Sequence, residues 1–186
     1  MNYTEMKKKV LGLIEELNPN SELLTDDPDI ATKYNEVANQ VMFELARMKK
    51  IPRYMEMAVT NGQVVTMEDI GNEAGYDVYQ VANIAGVGYK VRAGGTVFKF
   101  TDNGLAEIDV YVYPVRISES NQGSYTFELS QDVLEIMPYG IAADLLKSDV
   151  SANCGNVYAN RYESMLNRLD PRYMTTTISI QGGVDV

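Results

Sequence analysis

Apolar residues recur at steps of three and four from the first residues of the chain. Tyr3, Met6, Val10, Ile14 and Leu17 share one face of a helix over residues 3–17. Asn2 stands at its N-cap, and Glu5, three residues on, completes a capping box. "NPNS" at 18–21 ends it. A second helix opens at "DDPDI", with Asp27 as N-cap and Pro28 in the first turn, where a missing amide donor costs nothing. Ile30, Tyr34, Val37, Val41, Leu45 and Met48 form its stripe, and Pro52 stops it.

The period then changes to two. "YMEMAVTNGQVVTM" predicts two short strands folded back on each other around Asn61-Gly62, the strongest two-residue hairpin signal. "GYKVR" and "TVFKF" read as strands joined by "AGG", and "TDNG" at 101–104 as a turn. In "AEIDVYVY", Ala106, Ile108, Val110 and Val112 point one way and Glu107, Asp109, Tyr111 and Tyr113 the other. After the polar "ISESNQGSY", helical spacing returns at Leu134, Met137, Ile141 and Leu145, with Ser130 as cap and Leu129 and Leu134 as a hydrophobic staple. A last helix over 152–169 presents Tyr158, Tyr162, Met165 and Leu169. "DPR" breaks it, and "YMTTTISIQGGVDV" follows as an extended, β-prone run.

This order predicts an α+β fold. The helix pairs at 1–52 and 129–170 form a four-helix bundle, an antiparallel β-sheet or small β-sandwich at 53–128 is inserted in it, and 171–186 is an extended C-terminal tail. "IMPYGIAADLLKSD" is the odd piece, because proline inside a helix costs roughly 3 kcal/mol. The expectation is that Pro138 opens the helix proper, with "SQDVLEIM" as a lead-in turn or kinked segment. Gly140, Ala142 and Ala143 are small enough to admit a neighbouring helix, either that of Tyr162 or the first pair.

Composition narrows the chemistry. The chain has 186 residues, one cysteine (Cys154), no histidine and a net charge of −10. No intramolecular disulfide can form, and Ser-His and Cys-His nucleophiles and histidine metal ligands are excluded. Cys154 has no histidine to activate it. The expectation is a protein with no enzymatic activity, no metal and no cofactor. No apolar run approaches the roughly 20 residues of a membrane helix. The N-terminus lacks the apolar core of a signal peptide, so retention in the cytoplasm of the cell that makes it and no membrane partner are expected. The acidic balance argues against tight DNA binding.

The glycines of "GVGYK" and "AGG" have strands on both sides, so they read as turn or bulge glycines and not as a phosphate cradle. The carboxylates of "TDNGLAEID" and "TDDPDIATK" miss the calcium-loop spacing and read as a turn and a helix cap. The 13 tyrosines read mainly as core.

The run "GYKVRAGGTVFKFTDNGLAEIDVYVYPVRIS", followed by "LEIMPYGIAADLLKSD" and "ANRYESMLNRLD", resembles the tailed-phage head–tail connector (adaptor) proteins that form a ring beneath the portal. The pieces that carry the resemblance are Ile108 to Pro114, Pro138 to Asp149 and Asn160 to Leu166, in that order and spacing. It covers roughly residues 89–169 together with the two-helix start, and each motif alone is weakly specific.

The resemblance implies a structural protein of the virion neck, assembled in the host cytoplasm. Its partners would be the portal protein, the next neck or tail protein, and further copies of itself in a dodecameric ring. DNA would pass through the lumen without sequence-specific binding. The resemblance also implies that the tail reaches the portal, which makes Tyr173, Ile178 and Ile180 the candidate portal-binding residues; a strand-prone segment can pair on a partner with alternate side chains in pockets. Two other classes compete. One is a monomeric ligand- or carbohydrate-binding module that stacks a flat ligand on Tyr111 and Tyr113. The other is a carboxylate-based hydrolase, for which no converging acidic pair is identifiable.

Overall fold

The computed structural model describes residues 1–14, 28–146 and 154–169. Its first helix, α1 (Tyr3–Leu13), starts as the capping pattern predicts: the Asn2 side chain accepts from the Glu5 amide at 2.8 Å, and Glu5 accepts from the Asn2 amide at 3.0 Å. Tyr3, Met6 and Val10 are buried, whereas Leu17 lies outside the described residues. Helix α2 (Pro28–Lys49) buries Tyr34, Val41 and Leu45 from the expected stripe, together with Ala38, Met42 and Ala46. Its predicted cap, Asp27, also lies outside the described residues. The helix ends before Pro52 takes effect. Lys50 adopts a left-handed φ of 45° and its amide closes the last turn on the Ala46 carbonyl at 2.8 Å. Pro52 instead sits inside the strand that follows.

Among the described residues, six strands form two antiparallel three-stranded sheets. They are β1 (Ile51–Val59), β2 (Val64–Thr66), β3 (Val78–Ala85), β4 (Tyr89–Arg92), β5 (Val97–Phe100) and β6 (Gly104–Val112). One sheet has the order β1-β6-β3 and the other β2-β5-β4. The hairpin expected at Asn61-Gly62 does not form. β1 pairs with β6 and β2 with β5, so the chain turns a corner there from one sheet into the other. Gly62, at φ 86°, supplies the positive φ, and its amide donates to the Phe100 carbonyl at 2.9 Å. The 101–103 link makes the matching corner on the partner strands, and the Asn61 amide donates across to Asn103 Oδ1 at 2.7 Å. An Asn-Gly pair provides a turn, but the strand that follows pairs wherever its apolar face is covered.

The alternation in β6 matches the structure. Ala106, Ile108, Val110 and Val112 are buried, while Glu107 and Asp109 are exposed. The "AGG" connection between β4 and β5 is a tight turn of Ala93–Gly95, as expected. Helix α3 (Met67–Ala74) and strand β3 were not among the predicted elements. Helix α3 carries a readable signal, a capping box between Thr66 and Asp69, and Gly75 ends it at φ 70°.

Helix α4 (Gln131–Leu145) is continuous, with Pro138 inside it and buried. The reading of Pro138 as a first-turn residue is therefore corrected: the helix begins seven residues earlier, after Ser130. Ser130 is the N-cap residue, but its hydroxyl bonds to the Asp132 carboxylate and caps no amide. Both staple residues, Leu129 and Leu134, are buried. The interior proline persists because α4 is the hub of the helical layer, packed by α1, by α2 and by α5 (Cys154–Leu169). A Cβ on Gly140 would stand 2.8 Å from Tyr162 Cε2 and 2.9 Å from Val41 Cγ1, so both neighbours foreseen for the small-residue face are present at once. Ala142 is fully buried and Ala143 half-buried.

Helices and sheets share one apolar core. Its polar seam is Asn39, 2% exposed, whose amide donates to the Ile117 carbonyl at 2.9 Å while its Oδ1 accepts from the Ile117 amide at 2.8 Å. This reciprocal pair mimics a strand partner and ties α2 to the chain leaving β6.

Candidate functional site

The chain presents sheet surfaces of opposite sign. On the β1-β6-β3 sheet, the side chains opposite the core include Tyr54, Glu56, Leu105, Glu107 and Asp109, all exposed. Their placement follows from period two: each buried residue of β6 is flanked by outward ones. Glu56 faces Glu107 directly across the strands, and Tyr54 faces Asp109. The Tyr54 hydroxyl donates to Glu56 Oε1 at 2.8 Å. That bond first, then desolvation, and then the carboxylates of Glu56, Glu107 and Asp109 push the Tyr54 hydroxyl up to about 12 from 10.0. Like charges directly opposed on a sheet are unfavourable. Among the described residues, Glu107 and Asp109 have no ion-pair partner.

On the β2-β5-β4 sheet the outward face carries Lys90, Arg92 and Lys99, with Val64 beside Lys99 and 56% exposed. Lys90 faces Lys99 directly. Phe98 and Phe100, which alternate with Lys99, are buried on the other side. None of these three cations has an ion-pair partner among the described residues.

The tyrosines proposed as a stacking platform are already engaged. The Tyr113 ring packs on Tyr79 at 4.7 Å and on Phe43 at 5.0 Å, with the Arg47 guanidinium 5.2 Å from its centre. Tyr111 stacks with Tyr79 at 6.4 Å and has Lys50 Nζ at 4.7 Å. A bulge in β3 brings Tyr79 there, since two residues of β3 advance for one of β6. Burial raises the Tyr79 hydroxyl pKa, and that hydroxyl donates to the Ala46 carbonyl at 3.1 Å. This group anchors the end of α2 on the sheet, and the rings of Tyr111 and Tyr113 are already in contact with side chains of the chain itself.

A cleft of about 630 Å³ lies between β1, β2 and α3, lined by Met57, Gln63, Asp69, Asn72 and Glu73 among others. It is open to solvent, and the Asp69 carboxylate is committed to capping α3, where hydrogen bonds from the Thr66 amide and then its hydroxyl hold it below the usual carboxylate range. Among the described residues no group of three or more acidic or cysteine side chains is arranged to hold a metal ion. The turn holding Gly86 and Gly88 joins β3 to β4, so it has no helix N-terminus with which to cradle a phosphate.

Tyr173, Ile178 and Ile180 lie outside the described residues. The two charged faces are the functional candidates that sequence reasoning did not assemble. The alternation exposing Glu107 and Asp109 was legible, but the strand partners placing Glu56 against Glu107 and Lys90 against Lys99 are set by long-range pairing.

No protein-family model matches the chain, and no curated protein matches it significantly. Among the described residues, no helix is long and apolar enough to cross a membrane.

Proposed function

We propose that this chain is a head–tail connector of a tailed bacteriophage. In this reading it has a structural role without catalysis: it docks as a ring on the portal, continues the DNA channel and supports the next neck or tail protein. The order of the motifs at Ile108 to Pro114, Pro138 to Asp149 and Asn160 to Leu166 carries the proposal. The α4 arrangement supports it, because the small residues of "PYGIAADLL" are where α2 and α5 converge, at Gly140. The helices are read as one four-helix bundle closed around α4, and residues 171–186 as an extended tail that pairs with the portal through Tyr173, Ile178 and Ile180. A net charge of −10 suits a channel that must not hold phosphates.

The test is co-sedimentation of the full chain and of a chain lacking residues 173–186 with assembled portal from the same phage. The full chain is expected to bind. The truncated chain is expected to keep its thermal transition and to lose portal binding. A full chain that leaves portal unbound overturns the reading, and a truncated chain that binds normally removes the tail from it. The binding-module reading has less support, since Tyr111 and Tyr113 are already stacked within the chain.

A further inference from the structure

We infer that the acidic outer face of the β1-β6-β3 sheet docks on the basic outer face of the β2-β5-β4 sheet of a second copy of this chain, head to tail. The contact rests on the connector reading only for its place in a ring; its chemistry stands on the two faces themselves.

The faces match in number, spacing and kind. Each has one directly opposed like-charge pair, Glu56–Glu107 on one and Lys99–Lys90 on the other. Each has one further charge two residues along a strand on the same face, Asp109 on β6 and Arg92 on β4. Opposed side chains on neighbouring strands stand about 4.5–5.5 Å apart. The step to the next side chain on one face is about 6.6 Å along the strand. Each face therefore presents three like charges in an L of similar dimensions. Exposed apolar side chains accompany them: Tyr54 and Leu105 on the acidic face, 57% and 51% exposed, and Val64 on the basic face.

Among the described residues, neither face is met by charges of opposite sign. Cross-strand like charges repel, and the ion pairs formed among the described residues, such as Lys49–Asp132 at 3.0 Å and Arg53–Glu128 at 2.9 Å, lie elsewhere. A second copy supplies to each face the opposite charges that its own fold does not. Because the two faces are different patches of one chain, the contact is heterologous. It propagates from copy to copy and closes into a ring or runs on as a filament, depending on the angle between neighbours.

The test is analytical ultracentrifugation of the full chain with three double variants. The wild type is expected to associate with rising concentration at about 0.05 M salt and to dissociate at about 0.5 M, where screening is strong. Glu56→Lys with Glu107→Lys makes both faces basic, and Lys90→Glu with Lys99→Glu makes both acidic. Each of these variants alone is expected to associate roughly 100-fold more weakly, because like charges are then juxtaposed. An equimolar mixture of the two is expected to restore association. Far-UV circular dichroism checks that they fold. Glu56→Gln with Glu107→Gln keeps the proposal testable should a reversal variant unfold, and is expected to weaken association and flatten its salt dependence.

A wild type that stays monomeric at low salt overturns the proposal. So does a reversal variant that assembles like the wild type, a mixture that stays dissociated, or a neutral variant unchanged in its salt dependence. Association that requires added DNA assigns the basic face to nucleic acid and also overturns it. Portal co-sedimentation run in parallel separates the two ideas: rescue in the mixture without portal binding by the wild type sustains this contact and counts against the connector reading.

Discussion

Gly140 and Tyr162 touch so closely that a single added methyl on Gly140 would stand 2.8 Å from the tyrosine ring, with Val41 closing the other side at 2.9 Å. The Tyr162 hydroxyl in turn donates to Glu44 Oε2 at 3.0 Å, and burial, followed by the Glu44 charge, raises its pKa. One contact thus joins α2, α4 and α5. Glycine in a helix normally loses about 0.5–1 kcal/mol relative to alanine. Here the close approach outweighs that preference.

Gly140→Ala is accordingly expected to destabilise the protein by about 1–2 kcal/mol, the cost of overpacking less the gain in helix propensity. Urea unfolding measures it. A midpoint equal to or above that of the wild type would show that Tyr162 and Val41 move aside freely.

Asn39→Ala strips both partners from the buried Ile117 backbone. A loss of about 2–4 kcal/mol is expected, since each orphaned group costs about 1–3 kcal/mol and some rehydration offsets it. Asn39→Asp keeps the acceptor and loses the donor, so it should also destabilise, more at neutral pH than at low pH, where the carboxyl is protonated and neutral. Thermal unfolding of both variants at two pH values checks the pattern.

Gly62→Ala tests the corner between the sheets. A Cβ there meets nothing within 4 Å, so the cost is conformational only. At φ 86° that cost is about 1–2 kcal/mol. Gly62→Asn, which tolerates positive φ better, should lose less, and equal losses for the two variants would mean that the conformation is not what the glycine provides.

Stability should fall in acid. The Ser130 hydroxyl, then Lys49, hold the Asp132 carboxyl below its ordinary 3.8, and hydrogen bonds from Thr66 do the same for Asp69. A carboxylate depressed in the folded state contributes stability that is present above its unfolded value and is lost as pH falls through its folded value. The unfolding midpoint should therefore decline once pH drops below about 4. Asp132→Asn should flatten that decline; an unchanged acid limb would show that the group contributes nothing.

The acidic face has its own titration signature. Tyr54 ionises at about 12 because it donates to Glu56 amid further carboxylates. Glu56→Gln should bring it back toward 10.0, read by site-resolved NMR of the tyrosine ring carbons. A Tyr54 value unmoved by the substitution would show that Glu56 does not hold its proton.

Much of the local structure was legible in the chain itself. The Asn2–Glu5 box, the Tyr34, Val41 and Leu45 stripe and the β6 alternation each depend on residues within a few positions of one another and lie where their period puts them, whereas Val37 is only half-buried and Met48, expected on the same stripe, is exposed. The absence of histidine is likewise read directly from the sequence. Helix α3 was legible in principle through Thr66 and Asp69, but its eight residues are too few for a periodic signal to stand out.

Tertiary structure decided the rest. Asn61-Gly62 determines that the chain bends, but whether β2 lies on β1 or on β5 depends on which apolar faces cover each other at long range, and β5 won. Pro138 breaks isolated helices. Inside α4 its cost is met by a buried face on which three other helices pack, a context no neighbouring residue encodes. The facing of Glu56 to Glu107 and of Lys90 to Lys99 likewise required register, which places residues distant in sequence side by side and gives one acidic chain a basic face. Periodicity is local and reports which way a side chain points; partners are set by the arrangement of lowest free energy, in which the most apolar area is covered, and only the folded chain expresses it.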